Sequence, residues 1–122
     1  MPQLKLVDSI TQLGPHDEGC IAVSGSHGGT SSARYALAAR PLLSVFNDAG
    51  GGLDQAGLAA LDFLQVSSLA ACTVAHNSAR IGEAHSTLTS GMVNHINASA
   101  AALGIQPGFT CQKAVDLLLR SN

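Results

Sequence analysis

The 122 residues predict a small three-layer α/β domain, with a mostly parallel sheet of about four strands and helices on both faces. Three observations carry that prediction. Short, continuous apolar runs recur along the chain, as in strands of a parallel sheet buried on both faces. Segments with helical spacing separate most of them, which is the order of βαβ units. The length suits a single domain over residues 1–122, with enough burial for an independent core.

Taken in order, residues 4–10 (LKLVDSI) alternate and are rich in β-formers, so they read as a first strand. Residues 13–19 (LGPHDEG) form a turn cluster. Residues 20–24 (CIAVS) are a central parallel strand. Thr30 or Ser31 can cap a helix over residues 32–40, and Pro41 stops it. Residues 42–46 (LLSVF) are the next strand, and residues 47–53 (NDAGGGL) a loop. Asp54 can cap a helix over residues 55–65, where Leu58, Leu61 and the Leu64–Gln65 region have helical spacing. Residues 69–75 (LAACTVA) make a fourth strand and residues 76–82 a loop. Met92, Val93, Ile96, Ala100 and Leu103 fall on one helical stripe, predicting a helix over residues 92–104 that ends at Gly104. Thr110 can cap a last helix over residues 111–120.

Composition narrows the function classes. Apolar residues make up 46% and charged residues 11%, a low charge density that favours a homo-oligomer. The net charge is −2 and no Lys/Arg run exists, so nucleic acid is not an expected partner. Aromatics at 3% leave little for base stacking. No apolar run approaches a membrane span, and MPQLKLVDSI lacks the apolar core of a signal peptide. Three widely spaced cysteines argue against a disulfide frame. The expectation is a reduced, cytoplasmic protein with no membrane partner.

Four polar runs each follow a predicted strand: Asp8-Ser9, Ser24 to Gly29, Asn47-Asp48 with Gly50 to Gly52, and His76 to Arg80. Parallel strands put their carboxyl ends on one edge, where open α/β sheets bind ligands. Ser24, Ser26, Gly28, Gly29, Thr30 and Ser31 surround a helix start, which suits an anion. G-x-G-x-x-G is absent and no Lys follows the glycines, so a carboxylate, small phosphate or polarised carbonyl is expected and no nucleotide cofactor. His76 can move protons near neutral pH. Asp48 can act as a base or orient a histidine. Asn47 and Ser78 can bond a ligand, and Arg80 can hold a carboxylate.

Ser24-x-Ser26-x-Gly28 at a strand-to-helix turn also resembles the nucleophile elbow (G-x-S-x-G) of lipases and esterases. That resemblance covers about ten residues and departs at Ser24, which stands in place of the first glycine. It implies Ser26, Asp48 and His76 as nucleophile, acid and base. Five histidines lack zinc-type spacing, so no metal site is expected. The sequence reading is thus an enzyme with hydrolase- or lyase-like proton chemistry. Ser26, His27, Asp48 and His76 are the candidate catalytic groups. Ser24, Gly28, Gly29, Asn47, Ser78 and Arg80 would bind a small anionic or amide/carbonyl-bearing metabolite. The alternatives are a non-catalytic metabolite-binding or regulatory domain, or an assembly subunit whose glycine loops meet a partner chain.

Overall fold

The computed structural model describes residues 2–50 and 58–120. The sheet has five strands in sequential order: β1 (Leu4–Val7), β2 (Ile21–His27), β3 (Leu43–Asn47), β4 (Ala70–Val74) and β5 (Val93–Ile96). The first four are parallel, and β5 joins β4 antiparallel. The helices are α1 (Thr30–Ala39), α2 (Ala59–Gln65), α3 (Ala84–Ser90), α4 (Ala98–Ala102) and α5 (Cys111–Arg120). This is the expected three-layer α/β arrangement.

Two apolar layers sandwich the sheet. Ala33, Ala36 and Ala39 of α1 and Leu61 and Leu64 of α2 meet Ala22, Phe46 and Ala71 on one face. Ala100 of α4 and Ala114, Val115 and Leu118 of α5 meet Ile21, Val23, Val45, Cys72 and Val74 on the other. Strand alternation produces this division, since successive side chains point to opposite faces. α1 and α2 lie on the same face, as crossovers of one hand between sequential parallel strands require. After β4 the chain leaves instead toward the α5 face, where Ala79 and Leu88 are packed. The connections from β3 and β4 therefore diverge, which opens a crevice between two adjacent strand ends.

Several boundaries differ from the sequence prediction. Residues 92–104 form a strand and a short helix, not one long helix. Val93 and Ile96 pair with β4, and the Asn97 side chain accepts from the Ala100 amide to start α4. Met92, placed on the apolar stripe, is 41% exposed. The β4 edge overrode the helical spacing, and β-branched residues suit a strand. Helix α3 has no counterpart in the sequence reading. Gly29, not Thr30 or Ser31, occupies the N-cap of α1. Thr110 does cap α5, its hydroxyl accepting from the Lys113 amide at 3.0 Å. The expected Asp54 cap, with Gly51 and Gly52, lies outside the described residues.

The largest change concerns the Ser24–Gly29 segment. β2 continues through His27, so this run is mostly strand and not a strand-to-helix turn. Ser24 is fully buried, and its hydroxyl donates to the Val45 carbonyl at 2.7 Å. Gly25 explains one glycine: a Cβ there would collide with the Gly82–Glu83 backbone and the Asp8 carbonyl. The Gly82 amide donates to the Gly25 carbonyl at 2.6 Å across this contact.

Candidate functional site

An open cleft of about 740 Å³ occupies the crevice between the ends of β3 and β4. Asn47 and Ala49 line it from β3, His76, Ser78 and Arg80 from the segment after β4, and Ser86 from α3. Asp48 lies against the cleft wall, 7% exposed.

The local sequence dictates the geometry at the β3 exit. The Asn47 and Asp48 side chains each bond the backbone two residues on: Ala49 N–H to Asn47 Oδ1 at 2.8 Å, and Gly50 N–H to Asp48 Oδ1 at 2.9 Å. These successive Asx turns bend the chain away from the sheet. They hold Ala49 and Gly50 in the left-handed region, at φ 52° and 76°. Glycine suits the second of these positions, and Gly50 lies close to the His76 ring. Asn47 Nδ2 also donates to the Ala79 carbonyl at 3.1 Å, tying β3 to the segment that bears Arg80.

Asp48 organises His76. Its Oδ1 accepts from the His76 backbone N–H at 2.9 Å and faces the ring Nδ1 at 3.2 Å. Its Oδ2 accepts from Asn94 Nδ2 at 2.7 Å. Burial alone would raise the Asp48 pKa. The Gly50 N–H, the Asn94 amide, the His76 N–H and the nearby imidazole outweigh it, so the net shift is downward. An ionised carboxylate only accepts, which assigns the proton at this contact to Nδ1 and leaves Nε2 for a ligand. The His76 side chain is 58% exposed, against 10% for Asp48.

Arg80 reaches outward, 82% exposed, and its contact with Glu83 is long at 3.9 Å. Its backbone N–H donates to Ser86 Oγ at 2.9 Å. Ser78 is engaged twice: its hydroxyl donates to the Ala75 carbonyl and accepts from the Met92 N–H.

The site residues named from sequence divide into two groups. Asn47, His76, Ser78 and Arg80 come together around the cleft, with Asp48 against its wall. Ser24 and Ser26 lie away from it. Ser26 Oγ accepts from the Ile10 N–H at 2.9 Å, and Ile10 belongs to the α1/α2 face. The Asn47 amide bonds Ala79, on the opposite face. Ser26 does not line the cleft and its hydroxyl bonds the Ile10 amide, not His76, so the implied Ser26–Asp48–His76 triad is not formed. His27 pairs in register with Asn47, but its Nδ1 accepts from the Gly29 N–H at 3.2 Å. The Gly28 N–H donates to the Asn47 carbonyl. The Gly28 and Gly29 amides are therefore committed within the fold.

Sequence reasoning missed Asn94, Thr73 and Ser86, and named Glu83 only as a possible ion-pair partner of Arg80. Reading residues 92–104 as a helix hid Asn94. The pattern Val-Asn-His-Ile, with β-branched residues at both ends, signals the strand but not the register shift that brings Asn94 to Asp48.

The three cysteines are free and buried. Burial raises the pKa of all three thiols, that of Cys111 to about 12. They are not nucleophiles near neutral pH. Among the described residues, no group of three or more His, Cys, Asp or Glu is placed to hold a metal ion, and no helix is long and apolar enough to cross a membrane. Compared with protein-family models, curated proteins and solved structures, the chain has no significant match.

Proposed function

We propose that this chain is a small-molecule enzyme of hydrolase- or lyase-like proton chemistry, acting on an anionic metabolite bearing a carbonyl or amide group. The ligand occupies the cleft between the β3 and β4 ends instead of the Ser24–Gly29 segment. The observation that carries this reading is the buried Asp48 carboxylate against His76 Nδ1, with the imidazole open to the cleft. His76 Nε2 takes a proton from the substrate or from a bound water. Asp48 then stabilises the imidazolium that results. Arg80 holds the substrate's carboxylate, since its one ion pair among the described residues is long and exposed. No serine is assigned as nucleophile: Ser26 does not line the cleft, Ser78 is engaged twice, Ser86 Oγ accepts from the Arg80 N–H and Ser90 donates to the Ser86 carbonyl.

A second reading, a non-catalytic metabolite-binding domain, is favoured by the exposure of His76, where solvent competes for its proton-transfer position. One experiment separates the two. Amide NMR spectra are followed against a panel of small carboxylates, amides and keto acids, with hits assayed for turnover. The first reading expects shifts at Asn47, Ala49 and residues 76–81. Arg80→Ala then weakens binding by roughly tenfold or more, since a charged hydrogen bond contributes ~1.5–3 kcal/mol. His76→Ala lowers turnover by ~10²–10⁴-fold with little change in binding. Binding without turnover leaves the second reading. Shifts confined to other regions, or an Arg80→Ala variant of unchanged affinity, overturn both.

We also propose a homo-oligomer. Leu4 and Leu6 are exposed on β1, an edge strand, and apolar edges favour self-association. Light scattering that shows a monomer at micromolar concentration overturns this. A wild-type dimer that Leu6→Lys dissociates supports it.

A further inference from the structure

Asn94 reaches Asp48 because β5 contains an irregularity. Along β4 and β5, Cys72 pairs with Ile96 and Thr73 with His95, but Val74 pairs with Val93. Asn94 is the extra residue. In an unbroken antiparallel register it would oppose Val74 and share the apolar α5 face. The bulge puts Val93 in that core and releases Asn94 toward the other side. Bulges next to functional sites re-aim side chains in this way.

The released amide has two partners. Nδ2 donates to Asp48 Oδ2 at 2.7 Å, and Oδ1 accepts from the Thr73 hydroxyl at 2.7 Å. The carboxylate can only accept, which settles the orientation of the amide. Thr73, Asn94, Asp48 and His76 thus form one hydrogen-bonded chain from β4 and β5 to the cleft.

We propose that Asn94 is a positioning residue: its amide keeps Asp48 an ionised acceptor, with Oδ1 on the His76 ring, and so holds His76 in the tautomer that turns an unprotonated Nε2 to the cleft. The inference rests on the reading of His76 as the proton-transfer group. Among the described residues, the other charged or titratable groups near it are Arg80 and Glu83 in the cleft lining, His95 next to Asn94 on β5, and His27 on β2. Among the described residues, the Asp48 carboxylate is bonded by the Gly50 and His76 backbone amides, the His76 ring and Asn94.

The test is NMR without substrate: ring ¹⁵N shifts of His76 for its tautomer, and carboxyl ¹³C shifts of Asp48 for its titration. Asn94→Ala is expected to raise the proton affinity of Asp48 severalfold, since a donor that favours the charged form is lost. It should also erode the Nδ1–H tautomer of His76. Asn94→Gln, which keeps an amide donor, should restore part of both. Asn94→Asp replaces the donor with a second carboxylate, and the coupled pair should titrate still higher. Should Asn94→Ala fail to fold, Thr73→Val loosens the amide at constant volume and should move both signals the same way, by less. Unchanged Asp48 titration and His76 tautomer in a folded variant overturn the positioning role. Shifted spectra with wild-type turnover uphold it and overturn the acid–base reading instead.

Discussion

At the end of β2 the chain places Ser24, Gly25, Ser26 and His27. At the ends of β3 and β4 it places Asn47, Asp48, His76 and Arg80. Both sets combine hydroxyls, amides or imidazoles with nearby glycines, and both follow buried parallel strands. Their fates differ because their neighbours differ. β2, like β3 and β4, lies inside the sheet, but its polar atoms meet the Val45 carbonyl, the Ile10 amide and the Gly29 amide. The β3 and β4 exits separate toward opposite faces, so His76 and Arg80 extend into open space. A polar strand end becomes a candidate site when adjacent connections diverge, and scaffolding when they do not.

The strongest challenge to that contrast is Gly25→Ala. The added methyl meets backbone on two sides, which no rotamer change relieves. A loss of about 3 kcal/mol in denaturant stability is expected. A wild-type midpoint would mean that β2 is not held against residues 82–83. A milder pair sharpens the comparison. Ser26→Ala should lower stability by about 1 kcal/mol through the Ile10 bond and leave ligand affinity unchanged. Arg80→Ala should do the reverse, with stability within about 0.5 kcal/mol of wild type. A Ser26 variant with impaired ligand binding would return the β2 end to the site.

The smallest expected effect is on acid stability. The Asp48 pKa is lower folded than unfolded, so the unfolded chain takes up its proton first as pH falls. The contribution of this carboxylate is complete above an ordinary carboxylate pKa of about 4 and disappears as pH drops through the lower folded value. Asp48→Asn should therefore flatten the acid limb of the stability profile below about pH 4. An unchanged slope there would show that the four N–H contacts do not bias its ionisation.

Much of the fold was legible because burial on both faces leaves an unmistakable mark: Ile21–Val23, Leu43–Phe46 and Ala70–Val74 read as strands without help. Less legible were elements that depend on their neighbours. α3 is Ala-His-Ser-Thr-Leu-Thr-Ser, with three hydroxyls that bond back to the carbonyls of Glu83, His85 and Ser86. Such residues disfavour an isolated helix, and contact with β2 and α5 sustains this one. The cleft was half legible. Asn47, Asp48, His76 and Arg80 could be found from strand ends alone. Asn94 depends on a register shift between two strands, and no local pattern encodes that. Ser26 was misplaced because β2 runs past Ser24, so the turn that would have exposed its hydroxyl is absent.

The buried thiols give the molecule a built-in clock. Cys20 lies beneath the α1 layer, Cys72 in the middle of β4 and Cys111 in the first turn of α5. None offers a thiolate while its surroundings stay closed, so alkylation by a small reagent requires local opening. Cys111 should react before Cys72, as the final helix lifts from the sheet. Cys72, flanked by strands on both sides, should react only on global unfolding. The spread between the two rates measures how far the terminal helix opens independently of the sheet.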